Sequence, residues 1–103
     1  MPQIIIKGVA SEDIKNMSKE LVSDLAVICD TTEDNFIFEE VNDSYYSYGE
    51  KTKMYPLVEI KMFDRGSDVE KSMYFSIRNY LESKDYEDIE VYFIHLKNSS
   101  YFY

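Results

Sequence analysis

The sequence predicts an α/β (α+β) protein in which two βαβ units form one four-stranded mixed sheet with two helices on one face. Three observations carry that expectation. A strand–helix–strand order occurs twice along the chain. Each helix is long enough to be a crossover, which makes the two strands it joins parallel. Right-handed crossovers then place both helices on the same side of a shared sheet. The length agrees, since 103 residues suffice for one compact domain and not for two.

The first unit covers about residues 2–42. Its opening strand runs from Gln3 to Val9 through Ile4, Ile5 and Ile6. Ser11 suits the cap of the following helix, with Glu12 and Asp13 in the first turn, where carboxylates complement the helix dipole. Ile14, Met17, Leu21, Leu25 and Ile28 fall at helical spacing and mark its buried stripe. Asp30-Thr31-Thr32 ends the helix, and a second strand is expected from about Asn35 to Val41. The second unit covers about residues 55–97. It opens at Tyr55-Pro56, so Pro56 matches Pro2, and its first strand continues through Phe63. Ser67 and Glu70 stand three apart and fit a capping box. Val69, Met73, Ile77, Tyr80 and Leu81 form the second stripe, and a final strand spans about Ile89 to Leu96. A tyrosine-rich loop, 43–54, joins the units within a single domain, 1–103.

The sheet has two faces and the helices cover one. Ile37, Val41, Val58, Ile60 and Met62, or the equivalent alternation, are expected beneath the helices. Phe36, Phe38, Leu57, Phe63, Tyr92 and Ile94 are then left on the other side. The tail from Asn98 to Tyr103 is too short to cover four strands, so another copy of the chain is the expected cover.

Composition narrows the partners. Hydrophobic residues make up 45% of the chain, enough for a core and too many for disorder. The net charge of −9 repels phosphate backbones and anionic lipid, so neither nucleic acid nor membrane is expected as a partner. The sequence shows neither an apolar run of membrane-spanning length nor a secretory leader, and a cytoplasmic location is expected. Cys29 is the single cysteine, which excludes an internal disulfide, and reads as a small buried hydrophobe. His95 is the single histidine; without clustered ligands it is read as a strand residue near a subunit contact, and no metal site is expected. No phosphate-binding loop, nucleophile elbow or paired-cysteine motif is present, and no cofactor is expected.

Pro2 holds the chemistry of most interest. If Met1 is removed, its nitrogen becomes a secondary amine, with a pKa starting from about 8. Burial and a nearby cation both disfavour the charged form, which would make Pro2 a general base near neutral pH. The plainer reading is that Pro2 only opens an edge strand. Arg65, in the turn before the second helix, could bind a carboxylate through two hydrogen bonds or stabilise an enolate. A surface arginine paired with Asp64 or Asp68 fits the same position. In the linker, Tyr45, Tyr46 and Tyr48 alternate with Ser44, Ser47 and Gly49. They are candidate pocket-lining residues, or part of an ordered connection.

The strand led by Pro2, the doubled unit and the uncovered sheet face together resemble the tautomerase superfamily, which includes macrophage migration inhibitory factor and 4-oxalocrotonate tautomerase. More closely, Tyr55-Pro56-Leu57-Val58-Glu59-Ile60 and Phe63-Asp64-Arg65-Gly66 resemble an uncharacterised bacterial family within it, as do Phe36 to Asn42, Tyr45, Leu96 and Tyr101. The resemblance implies a homotrimer with its sheets wrapped into a barrel, and sites at subunit boundaries around the N-terminal proline. It implies a cofactor-free isomerase that moves a proton on a small carbonyl acid, with Pro2 as base and Arg65 as anion binder. Tyr92 would donate a hydrogen bond in a neighbouring subunit's pocket, or simply pack as a sheet-face tyrosine between subunits, with Phe63 and Ile94 as candidate lining residues. Two departures bear on the substrate. Ile94 stands where migration inhibitory factor has a polar Asn, and the first helix and second strand lack arginine, which disfavours a dicarboxylate. The rival reading is a non-catalytic oligomeric binding or interaction protein on the same fold.

Overall fold

The computed structural model describes residues 1–103. Along the chain come β1 (Gln3–Lys7), α1 (Ser11–Glu20), α2 (Val22–Ile28), β2 (Ile37–Glu40), β3 (Tyr45–Ser47), β4 (Glu50–Thr52), β5 (Leu57–Phe63), α3 (Ser67–Ser83) and β6 (Glu90–Leu96). Four strands form one sheet in the order β2-β1-β5-β6. β1 runs parallel to β2 and β5 parallel to β6, while β1 and β5 pair antiparallel at the centre. The two βαβ units therefore join through their first strands, giving the mixed sheet that two crossovers imply. No helix is long and apolar enough to cross a membrane.

Alternation along the central strands decides what is buried. Ile4 and Ile6 on β1, with Val58, Ile60 and Met62 on β5, point under the helices. There they meet Ile14, Met17 and Leu25 from the first helical arm and Met73, Ile77 and Leu81 from α3, in a core of sixteen apolar side chains. Fully burying one such side chain is worth about 1.5–3 kcal/mol. Cys29 belongs to this core, with its Sγ 3.4 Å from the Met73 sulfur, joining the end of α2 to α3. Burial pushes its thiol pKa up, against a smaller lowering effect of Arg65. Tyr86 ties the units together at the surface: its hydroxyl accepts from the Ala10 N–H at 2.9 Å and donates to Asp13 at 2.6 Å.

The second strand faces the opposite way from its sequence reading. Phe36 is buried, Phe38 packs against the core, Ile37 is 60% exposed and Val41 is only half-buried. Register is the cause. Ile4 lies opposite Phe38 and points to the helices, so Phe38 points there too. Phe36, Ile37 and Phe38, one before a four-residue strand and two on it, do not choose a face by themselves.

Three local expectations also change. The first helix is divided at Leu21, whose φ of −94° and ψ of −16° depart from ideal helix values. The Ser18 hydroxyl donates to the Lys15 carbonyl at 2.7 Å just before the break, a back-bond of the kind that bends helices. Neither serine acts as a cap. Ala10 and Gly66 take those positions, Ser11 donates instead to Glu40 at 2.5 Å, and the Ser67–Glu70 pair lies one residue too late for a capping box. The linker holds a hairpin of β3 and β4, with Ser47 opposite Glu50. Tyr48 (φ 52°) and Gly49 (φ 77°) close it, the positive pair that a type I′ turn requires.

Two positions yield stability tests. Gly8 ends β1 at φ +74°, and a Cβ there would lie 2.2 Å from the Tyr55 carbonyl oxygen. Tyr80 packs on the core from α3, and its buried hydroxyl has no hydrogen-bond partner. Burial pushes its pKa up to about 12, and nearby Glu20 adds to the rise. Because the folded value lies above the ordinary value of 10, the stability tied to the neutral phenol is intact below pH 10 and is lost as pH climbs towards 12. Tyr80→Phe is expected to stabilise the protein by about 1 kcal/mol at neutral pH, by removing an unsatisfied hydroxyl. The margin over wild type should widen between pH 10 and pH 12, as followed by urea melts across that range.

Candidate functional site

The register assembles one end of the sheet. Gln3 lies opposite Lys61, which sets Pro2 opposite Met62, just before the Asp64-Arg65-Gly66 turn. Pro2 is buried, and its carbonyl accepts the Ile37 N–H at 3.4 Å. The Met1 amine donates to the Asn35 carbonyl at 3.0 Å. With Met1 attached, the Pro2 nitrogen is a tertiary amide and has no basicity. Removing Met1 would place a ring amine at the start of a central strand, beside packed apolar groups.

Arg65 reaches the same end from β5. Its Nη1 donates to the Cys29 carbonyl at 2.6 Å. That carbonyl closes α2, where a cation both satisfies an orphan acceptor and suits the helix dipole. No carboxylate pairs with Arg65, so the expected alternatives of Asp64 and Asp68 do not hold it. The side chain is exposed, and one nitrogen is anchored while others remain for an anion. Pro2 and Arg65 are thus brought to one end of the sheet.

Tyr92 is not brought there within one chain. It lies in the row Ile5, Glu59, Tyr92, three rows from Pro2. At about 3.3 Å per residue, the separation along the sheet is about 10 Å. Its hydroxyl donates to Glu59 at 2.5 Å. That bond, with a smaller contribution from burial, holds the phenol pKa above its ordinary value, so Tyr92 is a neutral donor already engaged.

The open face around Tyr92 is more mixed than expected. Ile5, Leu57, Phe63, Ile94 and Leu96 share it with Lys7, Glu39, Glu59 and Lys61, and Lys61 lies 3.7 Å from Glu59. Ile94 is 40% exposed, and Phe63 meets Tyr101 edge to face at 5.1 Å. Of the linker tyrosines, Tyr45 lines a groove with Val9, Val41 and Met54, and its hydroxyl is buried without a partner. Tyr46 and Tyr48 stand out from the hairpin into solvent. The largest groove, about 640 Å³ between α1 and β2, is floored by Ile14, Phe36 and Phe38 and includes none of Pro2, Arg65 or Tyr92.

His95 has neighbours that its isolation in the sequence hides. It lies opposite Met62, in the row of Pro2. Its Nε2 is 2.7 Å from Glu70 Oε1, and its Nδ1 is 4.0 Å from Asp64 Oδ2. The hydrogen bond to Glu70 raises the imidazole pKa above 6.5, and the charges of Glu70 and Asp64 add to it against desolvation. Glu59, Asp64 and Glu70 are the partners that sequence reasoning missed. Glu59 is placed by cross-strand register, Glu70 by the first turn of α3 and Asp64 by the turn between β5 and α3, none of which residue spacing along the chain reveals.

The sequence matches the family model described as a domain of unknown function, DUF1904, over residues 1–103. No curated protein matches. Among solved structures, a DUF1904 domain from Sebaldella termitidis superposes with a TM-score of 0.93 at 21% identity, covering 100% of this chain and 95% of that one. A macrophage migration inhibitory factor-like protein from Entamoeba histolytica gives 0.74 at 17% identity, covering 99% and 94%. A fused 4-OT, solved as an asymmetric trimer, gives 0.75 at 11% identity, covering 99% and 90%. At these identities the likeness is one of fold.

Proposed function

Because the chain belongs to the DUF1904 family and has the tautomerase fold, we propose that it is a cofactor-independent isomerase that moves a proton on a small carbonyl acid. The observation that carries the reading is the register that sets Pro2 at the same sheet end as Arg65. Once Met1 is cleaved, the Pro2 amine takes a proton from the carbon beside the carbonyl and returns it across the enol. Arg65, steadied by the Cys29 carbonyl, holds the substrate carboxylate or the developing enolate oxygen and keeps the base uncharged. Tyr92 serves only when a neighbouring copy contributes it and it releases Glu59.

Self-association supports that assembly. The face bearing Leu57, Tyr92 and Ile94 has no cover within the chain, and the fused 4-OT relative is a trimer. Ile94→Lys is expected to lower the mass measured by light scattering to that of a monomer, while circular dichroism is unchanged. An unchanged mass would refute a role for this face in assembly. The catalytic test is enolisation of phenylpyruvate and 4-hydroxyphenylpyruvate by protein whose intact mass shows loss of Met1. Equal rates for wild type and Pro2→Ala would reject the reading.

One observation favours a second reading, a non-catalytic interaction protein. Tyr46 is 69% exposed and Tyr48 fully so, both presented by an ordered hairpin. Exposed tyrosines on a rigid support suit a binding surface. That reading predicts binding that Tyr46→Ala and Tyr48→Ala abolish, and no turnover.

A further inference from the structure

We propose that Asp64, Glu70 and His95 form a binding site for a divalent transition-metal ion of zinc character. Three elements meet to make it: His95 comes from β6, Glu70 from the first turns of α3, and Asp64 from the turn between β5 and α3. One donor atom from each lies within 4.8 Å of the others. Two of the three are held in place. Asp64 Oδ1 accepts the Gly66 N–H at 2.9 Å, which turns Oδ2 toward the imidazole. Glu70 is only 17% exposed and sits against Nε2. Neither carboxylate has a lysine or arginine partner, so two negative charges share one imidazole.

The donor chemistry selects the ion. Imidazole nitrogen with carboxylate oxygen suits zinc, whose catalytic sites use three protein ligands and leave a fourth position open. Magnesium and calcium favour oxygen alone. Zinc takes the place of the proton between Nε2 and Glu70; a charged ring releases that proton to solvent, and a neutral ring keeps it on Nδ1. Ligand atoms around zinc stand about 2.0–2.2 Å from the ion, so the trio must draw together. Asp64, with 65% of its side chain exposed, has room to close once it gives up the Gly66 hydrogen bond.

Zinc chloride titrated into the full chain by calorimetry is expected to show one ion per chain. Asp64→Asn, Glu70→Gln and His95→Gln should each raise Kd at least about tenfold, while Asp24→Asn on the exposed face of α2 should leave it unchanged. Because His95 is the sole histidine, its imidazole ¹⁵N signals report the site in the wild-type protein, and the Nε2 signal should shift on zinc addition. Wild-type affinity in His95→Gln, an unmoved imidazole signal, or equal binding of magnesium would overturn the assignment, since a generic acidic surface behaves in those ways.

Discussion

Gly8→Ala is expected to lower stability by about 3 kcal/mol or more, among the largest effects of any single substitution. Two costs combine. The left-handed conformation at φ +74° disfavours any side chain by about 1 kcal/mol. The added Cβ would also fall 2.2 Å from the Tyr55 carbonyl oxygen and 2.6 Å from that of Met54. These are backbone atoms just before β5, and relieving the overlap must move the central pair of strands. Gly49→Ala is the control. It shares the positive φ, at +77°, but has nothing within 4 Å, so only the conformational cost of about 1 kcal/mol applies. In urea denaturation the two variants should differ by at least about 2 kcal/mol, the part due to close approach. Equal losses would mean that the strand end yields freely to a methyl group.

Pro2→Ala should reduce kcat/KM for enolisation by about 10²–10⁴, the range for losing a positioned acid–base group. The variant still begins with an amine after Met1 removal, so the experiment separates a ring-fixed secondary amine from a mobile primary one. A second arm blocks removal of Met1. That form keeps every side chain and turns the Pro2 nitrogen into a tertiary amide, while the Met1 amine donates to the Asn35 carbonyl. It should be as inactive as Pro2→Ala. Arg65→Ala is expected to raise KM more than it lowers kcat if the guanidinium binds carboxylate, and to lower kcat if it stabilises enolate. Activity that persists in Met1-retaining protein would remove Pro2 from the mechanism.

Much of the architecture could be read from the sequence because it follows from periodicity. The helical stripes and the alternation of Val58, Ile60 and Met62 each specify a buried face without any partner being known. β2 was misread because its face depends on pairing Phe38 with Ile4, and pairing is not a property of the segment. The hairpin at Tyr48-Gly49 was missed because tyrosine rarely takes the first position of a turn that favours Asn or Asp. The placement of Pro2 and Arg65 at one end of the sheet follows from topology, because each stands at the end of a strand. The partners of Arg65, Tyr92 and His95 were not legible in the sequence. The Cys29 carbonyl, Glu59 and Glu70 come from distant segments that meet only after the sheet has formed.

The contact between Cys29 and Met73 has a consequence for measuring how this fold opens. The chain's one sulfhydryl is 1% exposed, lies between two helices and is kept protonated by its surroundings. An alkylating reagent can reach it only in molecules whose helical layer has lifted from the sheet. The labelling rate in native buffer is therefore a clock for that excursion. Gly8→Ala should speed it up, and Tyr80→Phe should slow it down.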